Sequence, residues 1–296
     1  MKIEYAIIVK AKTRLEALIE RFNTQAQSQF YLERQGGDFK EYEREDAVYK
    51  QALSYLQSRL SRVLKNKLID RSFLPSYLFS KNQLIIVIGR DGLVANTAKY
   101  AKGIPILAVN PEPERYDGVL LPFQLNNFME GVEMLLAGRA SLKRQYFAQA
   151  SLNDGQRLLA FNDLFIGAAS HISARYKISF DQKTEEHSSS GLIVSTQAGA
   201  TGWLSSIFNM AYGVLSSFDQ TLAPQQPKLT AEQLLFAVRE PFQSLRTQTG
   251  ICTGILNQHR SLKLESLMPA GGVIFSDGVE KDFLQFNSGT IAEIGL

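Results

Sequence analysis

The chain has 296 residues, 45% of them hydrophobic and 21% charged, with 32 Lys and Arg against 29 Asp and Glu for a net charge of +3. That is enough apolar material for one or two cored domains and too much for a disordered chain, and no apolar run reaches the ~20 residues a membrane-spanning helix needs. One cysteine, Cys252, excludes an internal disulfide and a cysteine-rich zinc site, three histidines leave little for metal chemistry, and no long basic block marks a nucleic-acid surface. A site for a small polyanion stays compatible with this balance, because a few cations and backbone amides hardly move net charge.

In chain order, the run from Ile3 to Val9 reads as a first strand, with an acid inside it and no small-residue cleavage site behind it; with the single cysteine, this sets the expectation of a cytoplasmic protein. Leu15, Leu18, Ile19 and Phe22 fall on one face of a helix over Thr13 to Phe22. Val48, Leu53, Leu56, Leu60, Val63 and Leu64 keep helical spacing across Tyr42 to Leu68, and Pro75 closes that region. Leu84 to Ile88 is a β-branched run ending at Gly89, the composition of a strand buried on both faces. A helix after Gly92, from Leu93 to Ala101, and a second buried strand from Ile104 to Val109 complete a βαβ unit, and Gln124 to Gly138 predicts one more helix. Beyond Gly138 short apolar runs alternate with Gly, Ser and Asn: Arg157 to Phe161, Asp163 to Gly167, Tyr176 to Phe180 and Gly191 to Thr196 predict strands. Ala211 to Leu215 and Thr230 to Val238 are helical or irregular, the latter opening on a Thr230/Gln233 capping-box pattern, and Pro224 to Pro227 is a loop. The expected division is an α/β nucleotide-binding domain with a parallel sheet over 1–138 and a β-rich, sandwich-like domain over 139–296.

Three clusters carry chemistry. Gly89-Arg90-Asp91-Gly92 stands between a buried strand and a helix, at the sheet edge where α/β proteins bind ligands; its glycines let amides approach phosphate, and Asp91 can orient a hydroxyl, accept its proton or hold nucleotide-bound magnesium. An ordinary turn with an aspartate N-cap explains the same four residues. The strand Gly191 to Thr196 runs into Gln197-Ala-Gly-Ala-Thr-Gly-Trp203, where Ser195, Thr196 and Thr201 offer hydroxyls, Gly199 and Gly202 close approach, and Trp203 a stacking face for a base; a glycine-rich turn beside a core tryptophan is the plainer reading. Phe161-Asn162-Asp163 sets a polar pair between apolar runs, suited to an adenine edge and ribose hydroxyls or simply to a turn. His171, His187 and His259 read as surface residues and Cys252 as a packed thiol.

Together, and in this order, the three clusters resemble the NAD kinase family: a Gly-Gly-Asp-Gly turn, an Asn-Asp or Asn-Glu pair, and a Gly-Leu-Ile-Val-Ser-Thr strand leading into Thr-Gly-Ser-Thr. Lys12-Thr13-Arg14, Phe161 to Gly167, Ser173 to Tyr176, Ser189 to Gly191, Trp203 and Val238 to Pro241 are similar to its atypical, mitochondrial-type branch. The resemblance implies a two-domain fold of an α/β domain followed by a β-rich domain that binds NAD and makes a homodimer. It implies transfer of the γ-phosphoryl group of ATP, with Mg2+, to the 2′-hydroxyl of the NAD adenosine ribose, giving NADP. It assigns Asp91 the catalytic carboxylate, Gly89, Arg90 and Gly92 the phosphate cradle, Lys12 and Arg14 triphosphate contacts, Asn162 and Asp163 the adenosine and ribose, and Thr196, Gly199 and Thr201 the wall of the pocket. The partners implied are small-molecule nucleotides, with neither nucleic acid nor membrane.

The chain departs from that pattern at Arg90, where the family has glycine, at Leu93, where it has threonine, and at Ala198 and Ala200. If the second turn position needs positive φ, arginine there costs on the order of 1 kcal/mol and its bulk crowds the phosphate path, whereas its guanidinium can equally bind phosphate bidentately. A catalytically impaired nucleotide-binding protein and a related kinase with a lipid or sugar acceptor are the alternatives. Ser276-Asp277-Gly278 is similar to a late Asp-Gly turn of the family and also reads as a plain hairpin turn.

Overall fold

The computed structural model describes residues 3–218 and 225–296, and the chain divides into two compact units, Met1–Lys143 and Arg144–Leu296. The first unit runs β1 (Tyr5–Lys10), α1 (Arg14–Phe22), α2 (Gln25–Arg34), α3 (Phe39–Leu60), β2 (Lys65–Asp70), β3 (Gln83–Ile88), α4 (Asp91–Ala98), β4 (Ile106–Asn110), β5 (Phe123–Gln124) and α5 (Phe128–Leu136). Its five strands form one parallel sheet in the order β2-β1-β3-β4-β5. Ile85 to Ile88 are fully buried because each sheet face has its own core: Tyr49, Ala52, Leu56 and Leu60 of α3 with Phe128 and Val132 of α5 pack on Ile8, Leu84 and Ile86, while Leu93 and Val94 of α4 pack with Ile7, Val9, Ile85 and Val87. Thr13 starts α1 through a capping box, its hydroxyl accepting from the Glu16 amide at 3.2 Å while the Glu16 carboxylate accepts from the Thr13 amide at 3.1 Å.

The second unit runs β6 (Ala148–Leu152), β7 (Arg157–Ala160), β8 (Asp163–Ala168), β9 (Ala174–Phe180), β10 (Lys183–Ser189), β11 (Leu192–Ser195), α6 (Trp203–Ser216), β12 (Leu234–Val238), β13 (Thr253–Leu256), β14 (Leu262–Ser266), β15 (Gly272–Ser276), β16 (Val279–Gln285) and β17 (Ile291–Gly295). Two antiparallel six-stranded sheets, β10-β9-β14-β17-β6-β7 and β13-β12-β11-β8-β15-β16, share one apolar core with Leu164, Ile166, Val194 and Phe236 from one side and Tyr176, Ile178, Leu264 and Ile294 from the other. The second sheet is covered on its outer face too, by Leu204, Ile207 and Phe208 of α6 over Phe165, Ile193 and Leu235. That is why β8, β11 and β12 are continuous apolar runs in an antiparallel sheet, where alternation is the rule. The architecture is the expected parallel α/β unit followed by a β-rich sandwich.

Several expectations are corrected. The helix expected over Tyr42 to Leu68 is α3, which starts at Phe39 and stops at Leu60; residues 65–70 are instead the edge strand β2, and Val48 and Val63 face solvent. The helical spacing of Val63, Leu64 and Leu68 continued by coincidence past a helix end. Thr230 to Val238 holds strand β12, the Thr230 amide donating to the Gln233 side chain at 3.1 Å across a turn rather than at a helix start. The short helical stretch at Ala211 is part of the longer α6. Residues 225–227 have no regular structure, and Pro224 lies outside the described residues. His187 is a fully buried strand residue rather than a surface one, its Nε2 3.0 Å from the Glu185 carboxylate.

Candidate functional site

In the first unit, β1 leads to β2 on one side while β3 lies on its other side, so the connections diverge at the carboxyl ends of β1 and β3. Such a switch point opens a crevice at the sheet edge, the usual ligand position in open α/β sheets. The sequence puts Lys12, Thr13 and Arg14 after β1 and Gly89 to Gly92 after β3, bringing both of its phosphate-binding candidates to that edge. Gly89 has φ +154°, and a Cβ there would press on Leu93 at 3.1 Å; Arg90, the residue before α4, is at φ −104° and ψ 165°, ordinary extended backbone. The strain anticipated for arginine is therefore absent, because positive φ falls on Gly89 instead. A Cβ on Gly92 would meet no protein atom, and Leu93 belongs to the core.

Asp91 begins α4 without capping it. Its Oδ1 accepts from the Leu120 amide at 2.7 Å, which ties the turn to the loop after β4, and Oδ2 has no hydrogen-bond partner among the described residues. Arg90 bonds the Tyr116 hydroxyl, stacks over that ring at 4.3 Å and reaches Glu45 at 3.3 Å. Arg14 donates through Nε to Glu45 at 2.6 Å and through Nη2 to Glu41 at 2.8 Å; burial opposes its charge, but the two glutamates outweigh burial and hold it protonated above the usual arginine range. Lys12 is exposed and bonds Glu20 at 2.7 Å, which raises its pKa.

The second unit gathers the other candidates at the start of β8 and the end of β11. Asp277, in the turn after β15, accepts from the backbone amides of Phe161, Asn162 and Asp163 at 3.0, 2.6 and 3.3 Å, and so fixes the polar pair. Thr196 holds the same segment from the other side, its hydroxyl donating to the Phe161 carbonyl at 2.7 Å and its amide to the Asn162 carbonyl at 2.8 Å. Gly199 packs against this carbonyl so closely that a Cβ would overlap it and lie 2.8 Å from the Ser195 hydroxyl. The Asp163 carboxyl has no hydrogen-bond partner among the described residues, and burial, then the nearby Asp277 charge, pushes its pKa up to about 6. A buried carboxyl with a raised pKa and no hydrogen-bond partner among the described residues is a pattern found more often at ligand sites than in structural turns. Thr201 is exposed, in the short turn before α6, and does not join this cluster by any hydrogen bond. Asp277 was legible only as the acid of an Asp-Gly turn; its role depends on a contact 114 to 116 residues away in sequence.

Next along the outer face of the same sheet is a cavity of about 480 Å³ with Phe165, Trp203, Phe275, Phe283, Arg239 and Glu280 among its walls. Trp203 stacks on Phe165 at 5.7 Å with the rings 8° apart, and Arg239 lies over the indole at 5.4 Å. The size suits a small organic ligand.

No family model matches the chain. A curated NAD kinase of Heliobacterium modesticaldum is 30% identical over 129 residues, a match that takes in 40% of this chain and spans 44%, less than half, of that relative's length. Yeast NADH kinase, solved in complex with NADH, superposes with a TM-score of 0.58 over 100% of this chain and 81% of its own, at 13% identity. The chain has the NAD kinase fold. An NAD kinase from Archaeoglobus fulgidus in complex with ATP gives 0.53 over 98% of this chain and 89% of its own, at 15% identity. The resemblance to NAD kinases read from the three clusters thus extends to the whole NAD kinase fold, both units included. Among the described residues, no helix of the chain is long and apolar enough to cross a membrane.

Proposed function

We propose that this chain is a phosphotransferase of the NAD kinase type, moving the γ-phosphoryl group of ATP to the 2′-hydroxyl of the NAD adenosine ribose. The observation that carries this reading is the Asn162–Asp163 wall, held by Asp277, Thr196 and Gly199, on the same fold as a carboxylate-bearing glycine turn at a sheet switch point. The solved neighbours bound to NADH and to ATP support it, as does the NAD kinase relative. The acceptor's 2′-oxygen bonds to the γ-phosphorus as the bond to the β–γ bridging oxygen breaks; ADP leaves, and Asp91 takes the hydroxyl proton through Oδ2 while Leu120 holds its Oδ1. The first unit binds the donor phosphates through the amides at Gly89 to Gly92 and through Lys12, Arg14 and Arg90. The second binds the acceptor, Asn162 reading the adenine edge, ionised Asp163 accepting ribose hydroxyls, and Thr196 and Gly199 forming the wall.

Magnesium would come with the nucleotide's phosphates, and Asp91 is the carboxylate of the turn that would hold it. Bound there, magnesium supplies neutralisation of phosphate charge. A cytoplasmic location and a homodimer belong to the same reading; cell fractionation checks the first and sedimentation the second. The deciding assay is formation of NADP from NAD and magnesium-ATP, read with a coupled dehydrogenase. Asp91→Asn should abolish it; no NADP above that variant's background, with ATP or polyphosphate as donor, overturns the proposal.

A further inference from the structure

The strongest unassigned feature is a buried carboxylate shared by three segments of the chain. Glu45 of α3 is 8% exposed at its side chain, and its Oε1 faces Arg90 at 3.3 Å while its Oε2 receives Arg14 at 2.6 Å and Arg115 at 3.2 Å. Each arginine comes from a different segment at the carboxyl edge of the sheet: Arg14 after β1, Arg90 after β3, Arg115 after β4. Arg115 further contacts Glu41 at 2.7 Å and Glu112 at 3.7 Å, and its guanidinium lies 5.4 Å from the Tyr116 ring on which Arg90 also stacks.

We infer that Arg115 joins Arg14 and Arg90 as a binding residue for the donor's phosphate chain, with Glu45 as the positioning residue that draws the three guanidinium groups together. The inference rests on the donor role proposed for this edge. Without Glu45, three cations this close would repel; with it, they share one buried anion and still keep open donors, since Arg90 Nε and Nη1, Arg14 Nη1 and Arg115 Nε have no partner among the described residues. Guanidinium forks suit phosphate oxygens, and Glu41, half exposed and shared by Arg14 and Arg115, is a weak competitor that a multiply charged phosphate displaces.

The test is calorimetric titration of inorganic tripolyphosphate, magnesium-ATP and NAD into the full chain and its variants, alongside steady-state KM values. Arg115→Ala should weaken tripolyphosphate and ATP by about tenfold or more, with NAD affinity and melting temperature held, and Arg115→Lys should recover only part of the loss. Glu45→Gln should raise KM for ATP while KM for NAD stays put, a split that loss of folding alone does not produce. Unchanged tripolyphosphate binding in Arg115→Ala, equal losses for ATP and NAD, or no tripolyphosphate binding by the parent chain would each overturn the inference. A parent chain that binds tripolyphosphate yet makes no NADP sinks the phosphotransferase reading and leaves this one standing.

Discussion

The two candidate regions are built from opposite materials. In the first unit, the edge of the sheet is made of long charged side chains on turns and helix ends, and Arg14, Arg90 and Arg115 find their places by pairing with Glu41, Glu45 and Glu112. In the second, Asn162 and Asp163 are placed by backbone contacts, with Asp277 and Thr196 bonding main-chain groups and Gly199 admitting a carbonyl where no side chain fits. A site held by ion pairs tolerates graded changes, whereas one held by close backbone approach fails at once when an atom is added.

The sharpest way to break this contrast is Gly199→Ala. The new Cβ must push away the Asn162 carbonyl, which the Thr196 amide also holds, and the expected loss is about 3 kcal/mol of stability, measured by denaturant unfolding. What survives should bind NAD poorly and tripolyphosphate normally. A fully stable variant with normal NAD affinity would show that the wall is not set by this contact.

Asp163→Asn sharpens the comparison inside the second unit. The folded pKa of about 6 lies above the ~3.9 of an unfolded aspartate, so the native state holds the proton more tightly and the burden of ionising Asp163 is absent below pH 4, grows between pH 4 and 6, and is complete above. Asparagine removes that burden. The variant should therefore be more stable than the parent by about 3 kcal/mol at pH 7.5 and nearly equal to it near pH 4, while losing NADP formation. Parallel stability curves across that range would remove Asp163 from the set of perturbed carboxyls.

How much of this the chain announces in sequence follows the same division of materials. Gly89 to Gly92, Asn162–Asp163 and the Thr196–Gly199 strand end are local signals, readable because backbone conformation and close approach demand particular residues in a short span. The parallel sheet was legible from the β-branched run at Leu84 to Ile88, which has to be buried on both faces. Glu45 and Arg115 were not legible: on a helix face rich in charge, nothing marks one glutamate as buried until α3 is laid along the ends of three strands. The end of α3 and strand β2 were misjudged because an edge strand with little burial shows no clean alternation, so the helical rhythm seemed to run on.

Arg90→Gly tests the arginine site with a smaller effect. Arginine has no φ penalty here, so restoring the family's glycine gives no relief; it adds about 0.5–1 kcal/mol of backbone entropy to be lost and removes the contacts to Glu45 and Tyr116. KM for ATP should rise severalfold with KM for NAD unchanged. Faster turnover with lower KM for ATP would instead mean that the side chain obstructs phosphate entry.

The smallest effect is expected at Lys12. Its ammonium is exposed, and unlike the three arginines its ion-pair partner among the described residues is Glu20, itself exposed, rather than the buried Glu45. An exposed lysine pair is held by little more than screened attraction, so the donor recovers little by taking Lys12 from Glu20. Lys12→Ala should raise KM for ATP by about twofold, and the rise should vanish in high salt, while Arg115→Ala keeps most of its effect there because its partner Glu45 is buried. A Lys12 effect as large as that of Arg115, and as resistant to salt, would move the centre of the donor site from the shared glutamate to the loop after β1.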